Sequence, residues 1–404
     1  MDGKRLIRRL ELQSFLSYGS NGIEVDLLPL NVLIGPNGSG KSNVIEALNV
    51  LRSTPADLAA TIREGGGLAE YRNKRSADEI IWIGADLIDP DPFIGDQPLL
   101  YRIALVHTGS QLLVETETIE QKPVELGGGG ALEGRKHYQQ VGRRAQIWQQ
   151  SSETGDKGRV RDIPITARDE GQSILAQRRD PDLYPELTWI GKQLGSITIF
   201  REWTFGTRAK VRFPEPTDLP TDFLLPDSSN LALVLHEMQQ RAPVRQKLLK
   251  YLQRFYASAQ HIATRINAGT VQLYIDEGLE ELVSATRLSD GTLRYLSLLA
   301  ILLHPTPPPL VCIEEPELGL HPDILPTIGE LLIDASQRTQ LVVTTHSDAL
   351  VSALSEVPES IVVCEPGENG SQLRRLDREA LSEWLKRYSL GEIWRMGEIG
   401  GTRW

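Results

Sequence analysis

The chain reads as an α/β protein with an antiparallel β-subdomain and an inserted helical lobe, and three observations predict this. Short apolar runs at Leu30 to Ile34, Leu310 to Ile313 and Leu341 to Thr345 each lead into glycine, acid or histidine. Strands of an open α/β sheet read this way where they deliver side chains to its carboxyl edge. β-Branched runs from Ile80 to Leu87, Leu100 to His107 and Gln111 to Ile119, the last two joined by Thr108-Gly109-Ser110, predict antiparallel strands. From Asn230 to Ala263 the apolar residues fall at helical spacings, which predicts the helical lobe.

In chain order, Arg5 to Leu12, Ile23 to Leu27 and Leu30 to Ile34 predict three strands, with turn residues Tyr18 to Gly22 between the first two. Val44 to Leu51 predicts a helix directly after them. Gly65-Gly66-Gly67 marks a turn into the β-region, and Gly127-Gly128-Gly129-Gly130 a flexible join. Residues 134–168 are polar and show no clear period. Helices at Tyr295 to Leu303 and Ile324 to Ala335 flank the Leu310 run, and the second completes a βαβ unit whose two strands end on one edge. The expected organisation is an N-terminal lobe at 1–121, an insertion and helical lobe at 122–284, and a C-terminal lobe at 285–404. No sustained heptad is present, so no long coiled coil is expected.

With 404 residues, 40% hydrophobic and 24% charged, the composition is that of a globular protein. Met1 to Arg9 is charged and lacks an apolar signal core, and the nearly apolar stretch Leu293 to Leu303 is too short to cross a bilayer. A cytoplasmic protein without a membrane segment is expected. Cys312 and Cys364 lie within apolar runs, as core residues of a reducing compartment do, and offer no metal spacing. A net charge of −11 argues against polyanion binding over the whole surface. Only local clusters, such as Arg143-Arg144 or the helix with Arg241, Arg245, Lys247, Lys250 and Arg254, could touch DNA.

The chemistry is concentrated in four motifs. Gly35-Pro36-Asn37-Gly38-Ser39-Gly40-Lys41-Ser42 stands between a strand and a helix, as a phosphate-binding loop requires. Its backbone N–H groups and the helix N-terminus would hold a triphosphate, Lys41 would reach the β- and γ-phosphates, and the Ser42 hydroxyl would meet Mg²⁺. Glu314 and Glu315 end the second apolar strand, where the first acid would hold Mg²⁺ and the second would activate water. His346 ends the third strand on the same edge and suits a γ-phosphate sensor. In Leu288-Ser289-Asp290-Gly291-Thr292, Ser289 is an N-cap and Gly291 permits close backbone approach. The phosphate loop already has its own helix, so this second helix start would serve the nucleotide of another molecule.

This order of motifs resembles the ABC ATPases, and within them the SMC/RecF-type branch. Phe15-Leu16-Ser17, Asn31 through Asn43, Leu288 to Thr292, and Glu314-Glu315-Pro316-Glu317-Leu318-Gly319-Leu320-His321-Pro322 carry the likeness, with Ser389 to Trp394 and Gly397 to Gly401 similar to the tails of stand-alone ATPases of this branch. The resemblance implies an ABC-type P-loop ATPase head and a head-to-tail homodimer sandwiching two ATP. Each ATP would lie between residues 35–43 of one subunit and Ser289 and Gly291 of the other, with Gly319, Leu320 and His321 crossing the interface. Two positions depart from the pattern: the first acid is Glu314 where aspartate is usual, and the glutamine that normally follows the first lobe is not assigned, with Gln97 and Gln111 the nearest guesses. Glu365 ends an apolar strand as a Toprim glutamate would, but no Asp-x-Asp pair follows, so any effector would be a separate chain, in phage defence or DNA repair. A transporter ATPase is the alternative and lacks a coupling loop here. A GTP switch lacks its base reader, because Asn73-Lys74-Arg75-Ser76 has no acid.

Overall fold

The strand that precedes the phosphate loop lies in the middle of a parallel sheet, between strands from the far end of the chain. A computed structural model describes residues 3–88, 98–109, 111–122, 124–126, 130–132, 134–149 and 159–401. It opens with β1 (Ile7–Gln13), β2 (Ile23–Asp26) and β3 (Leu30–Ile34), then α1 (Lys41–Ser53), α2 (Leu58–Glu64) and α3 (Leu68–Tyr71). β4 (Ile81–Leu87), β5 (Leu99–Thr108) and β6 (Gln111–Gln121) follow, then a hairpin of β7 (Val124–Leu126) and β8 (Gly130–Leu132), and β9 (Lys136–Val141), β10 (Arg144–Gln149) and β11 (Arg159–Asp162). Eight of these strands form one antiparallel sheet in the order β11-β10-β9-β6-β5-β4-β1-β2. The sheet therefore continues past the expected boundary at 121 into the stretch without a clear period. There Tyr138, Ala145 and Ile147 face the core, while Gln139 and Arg144 are polar neighbours that blur the alternation. Of the expected glycine join, Gly127 to Gly129 lie outside the described residues, as does Ser110 of the expected hairpin turn.

The chain continues through α4 (Ile174–Gln177), α5 (Pro185–Gly195), β12 (Thr198–Phe200) and β13 (Glu215–Pro216) to α6 (Leu231–Gln239) and α7 (Ala242–Phe255). The helical period stops at Phe255 rather than Ala263. β14 (His261–Asn267) and β15 (Thr270–Asp276) instead form a hairpin, because Ala268 and Gly269 at φ 46° and 81° supply the two left-handed residues of a tight turn. After β16 (Val283–Ser284) come α8 (Asp290–Leu302), β17 (Leu310–Glu314), α9 (Leu325–Ser336), β18 (Gln340–Thr344), α10 (Asp348–Ser352), β19 (Ile361–Gly367), β20 (Gly370–Arg375), α11 (Ser382–Leu385) and α12 (Leu390–Arg395). The second large sheet runs β12-β17-β18-β3-β19-β20, parallel except for the last strand. β12 comes from the segment expected to be a separate insertion.

Alternate residues of the parallel strands serve two cores. Val32, Ile34, Val311, Ile313, Leu341 and Val343 pack with α6, α8 and α9. Leu33, Leu310, Cys312, Val342 and Cys364 pack with α1, α5 and the antiparallel sheet. With both faces covered, β3 is buried at all five positions, and such strands read as unbroken apolar runs. Both cysteines are buried core residues, and burial pushes their thiols upward, Cys364 to about 12.

Buried amides join the sheets at the opposite, amino edge. The Gln340 side chain accepts from the backbone N–H of Leu6 and Ile7 at 3.0 and 2.9 Å and donates to the carbonyls of Ile7 and Leu28 at 2.8 and 3.1 Å. Asn31 donates to the carbonyls of Leu28 and Leu341 and accepts from Leu28 N–H. Replacing Gln340 by Leu leaves these backbone groups buried without partners, and chemical denaturation should show a loss of about 3 kcal/mol. A second test concerns pH. The Glu215 carboxyl accepts the N–H groups of Ala232 and Leu233 at the start of α6, and burial pushes it from the ordinary carboxylate range up to about 8. Folding thus takes up a proton between these values: the stabilisation is full below the ordinary carboxylate range and is lost as pH rises toward 8. Thermal melts should fall from pH 5 to pH 8, and Glu215→Gln should flatten that slope.

Candidate functional site

Three parallel strands bring the chemistry to one edge. β3 runs into the phosphate loop, where Gly35 at φ 145° passes so close to β19 that a Cβ there would lie 2.1 Å from the Cys364 carbonyl oxygen. Gly40 at φ 100° is the N-cap of α1, and no side chain caps it, so the first N–H groups of the helix stay open to an anion. Among the described residues the buried Ser39 hydroxyl has no hydrogen-bond partner. Asn37 and Gly38 are exposed at the tip, with Pro36 half-buried. Lys41 is buried and its ammonium donates to the carbonyls of Gly35 and Pro36, each at 2.9 Å. The Asn43 amide donates to Ser17 Oγ at 2.8 Å and the buried Tyr18 hydroxyl to the Gly40 carbonyl at 2.8 Å, so the β1–β2 turn supports the loop from behind. Ser42 is exposed in the first turn of α1.

β17 and β18 place the acids and the histidine beside each other. Glu315 Oε1 lies 3.8 Å from His346 Nε2. Glu315 has a left-handed backbone, φ 48°, pinned by its N–H donating to the Thr344 carbonyl at 3.0 Å and by Arg294 of α8 donating to its own carbonyl at 2.6 Å. Arg294 also stacks over Trp203, 4.6 Å to the ring centroid, and burial pushes its guanidinium down to about 10. Trp203 Nε1 donates to the Glu314 carbonyl at 2.9 Å. Glu317 joins them from the turn after β17. Its Oε1 accepts from Thr345 Oγ1 at 2.7 Å and from His346 N–H at 2.9 Å, so it sets the backbone from which the histidine projects. Burial pushes its carboxyl upward, and its Oε2 has no partner among the described residues.

A residue outside the four motifs also reaches the acids. β12 pairs in parallel with β17, Phe200 opposite Ile313, so the residue that leaves β12 beside Glu314 is Arg201. Its Nε donates to Glu314 Oε1 at 2.7 Å, and a terminal nitrogen donates to Glu46 of α1 at 2.6 Å. Gln111 opens β6 in the antiparallel sheet and Gln97 lies outside the described residues. A three-residue strand gives no period to read, so sequence reasoning missed Arg201.

Hard oxygen donors at Ser42 and Glu314, with Glu46 one turn beyond Ser42 and bridged to Glu314 by Arg201, fit Mg²⁺. The uncapped helix start and the unpartnered Ser39 hydroxyl fit phosphate oxygens.

The fourth motif has anchors of its own. Ser289 caps α8, its Oγ accepting Thr292 N–H at 3.0 Å, and Asp290 pairs with Arg212. Arg212 is buried and also donates to the carbonyls of Leu288 at 2.6 Å and Phe205 at 2.9 Å. These bonds tie the start of α8 to the segment that carries Arg212. A Cβ on Gly291 would come 2.9 Å from the Gly319 carbonyl oxygen, so the two loops expected at an interface touch each other. Ser289 and Leu318 are exposed beside them.

A family model described as "AAA domain, putative AbiEii toxin, Type IV TA system" matches residues 30–352. Over 81 residues the chain is 33% identical to the "DNA double-strand break repair Rad50 ATPase" of Methanopyrus kandleri, a match covering 20% of this chain and 9% of that relative's length. Among solved structures, an SMC head bound to the C-winged helix domain of ScpA aligns with a TM-score of 0.56 and 14% identity, over 94% of this chain and 99% of that one. A Pyrococcus furiosus SMC head with an extended coiled coil, bound to the C-terminal domain of ScpA, aligns with a TM-score of 0.58 and 13% identity, over 94% and 98%. Among the described residues no helix is long and apolar enough to cross a membrane. The family model takes in both motif-bearing lobes and most of the chain, and the chain therefore belongs to this AAA-domain family, with the fold of the SMC head domains.

Proposed function

We propose that the chain is an ATP-binding and ATP-hydrolysing switch that works as a head-to-tail homodimer. The observation that carries the reading is a second helix start, with Ser289 exposed and Gly291 half-buried, anchored by Arg212, while residues 35–43 open a helix of their own. Each helix start is complete as a site only with a second copy. ATP would lie on the N-terminus of α1 with its β- and γ-phosphates on Lys41, which would exchange the Gly35 and Pro36 carbonyls for phosphate oxygens. Magnesium, held by Ser42 and Glu314, would neutralise charge on the phosphates. Glu315 would take a proton from water as the water oxygen bonds to the γ-phosphorus and the bridging oxygen to the β-phosphate leaves. His346, set by Glu317, would donate to the γ-phosphate.

The output is conformational, through a separate effector protein, in phage defence or DNA repair; the name of the Rad50 relative favours the second. DNA is a further partner in this reading. Lys247 and Arg254 on α7 pair with Asp334 and Glu330 of α9, which favours the exposed Arg143 and Arg144 between β9 and β10 as its contact. Buried thiols suit the cytoplasm.

Glu315→Gln should lower ATP turnover by roughly 10² to 10⁴ and, in light scattering after gel filtration, convert monomer to dimer when ATP is added. No ATP-dependent change in mass would sink the switch. Arg212→Ala releases Asp290 and the carbonyl of Leu288, so the signature turn loses its anchor. In the Glu315→Gln background it should abolish ATP-dependent dimerisation while nucleotide affinity of the monomer stays within about twofold, measured by fluorescence titration.

A further inference from the structure

One departure from the family's usual pattern, Glu314 where aspartate is usual, stands in an ion pair with the residue that leaves the neighbouring strand end, Arg201. An aspartate is one methylene shorter and would draw its carboxylate back from the guanidinium. With glutamate, Arg201 reaches Glu314 at 2.7 Å and Glu46 at 2.6 Å, forming a fork between two acids that are mostly buried. Tyr71 donates to the other Glu46 oxygen at 2.9 Å, which fixes that acid from the far side. Glu46 lies one helical turn after Ser42, on the same face of α1. Arg201 is thus the cation that balances the acids at the position where Mg²⁺ would arrive.

We infer that Arg201 is a positioning residue that holds the Glu314 carboxylate until a divalent cation displaces it, so that Mg²⁺ loading and the Arg201–Glu314 pair exclude one another. The inference rests on the Mg²⁺–ATP reading of this edge. Binding of the metal exchanges one ion pair for another: Glu314 turns from the guanidinium to the cation, and Arg201 keeps Glu46 as its partner. No bond is made or broken covalently. The forked geometry matters because a guanidinium can hold two carboxylates in fixed directions, which an ammonium cannot.

The test measures binding of a fluorescent ATP analogue by the full chain as MgCl₂ is raised, with Glu315→Gln throughout to stop turnover. Removing the competing cation in Arg201→Ala should lower the half-saturating Mg²⁺ by roughly threefold to tenfold, the effect of about one charge contact of this kind. Glu46→Gln leaves Arg201 to Glu314 alone and should raise it by a similar factor. The opposite signs separate a latch from a merely structural arginine. Arg201→Gln repeats the first measurement if the alanine variant fails to fold, and circular dichroism checks each variant. An unchanged or higher Mg²⁺ requirement in the Arg201 variants overturns the inference. So does a loss of nucleotide affinity that is equal at every Mg²⁺ concentration, which would mean that Arg201 contacts phosphate. If the parent binds no nucleotide at any Mg²⁺ concentration, the reading of the whole edge fails, and that outcome is visible before any variant is made.

Discussion

Everything at the carboxyl edge depends on β3 being hydrogen-bonded between β18 and β19. The strand that starts near residue 30 finds both neighbours in the last quarter of the chain, so the phosphate loop cannot take its place until that quarter has folded. Pairing of this range is entropically costly, and the structure offsets it by burying β3 on both faces and by locking its amino end with Gln340 and Asn31. The reward is geometric. Strands that run in parallel from a common amino edge must end on a common carboxyl edge, and there the loop, the paired acids and the histidine meet without any long side chain having to reach.

The charged groups of this edge find their partners within the protein. Lys41 folds back on carbonyls of its own loop, Arg201 bridges two acids, and Glu317 is satisfied on one oxygen by the backbone it supports. In the proposed reading the partners of Lys41 and Arg201 are the ones that polyphosphate or metal would replace. Such exchangeable pairs cost little in the resting fold, because a buried charge left alone would cost far more.

Much of this was legible in the chain, for physical reasons that also explain the gaps. Strands buried on two faces announce themselves as apolar runs, so β3, β17 and β18 and the residues that end them were readable, and so was the α1 start at the glycine-rich loop. β9 to β11 were not, because their outward positions carry polar and charged residues over short lengths, and β14 was hidden by apolar residues that continue the spacing of α7 until the Ala268-Gly269 turn. Arg201 and Arg212 escaped for a different reason. Their roles come from partners more than 70 residues away in sequence, and no local pattern in a single chain encodes such a pairing.

Glu315 carries a lesson about inheritance. A non-glycine residue at φ 48° costs on the order of 1 kcal/mol, and Arg294 spends a desolvated guanidinium to hold it there. Glycine at 315 would relieve the strain and delete the carboxylate, giving a sturdier molecule without the acid that the proposed hydrolysis uses. Drift toward stability therefore runs downhill away from this acid, and a lineage that retains a glutamate here has done so against the pull of its own fold.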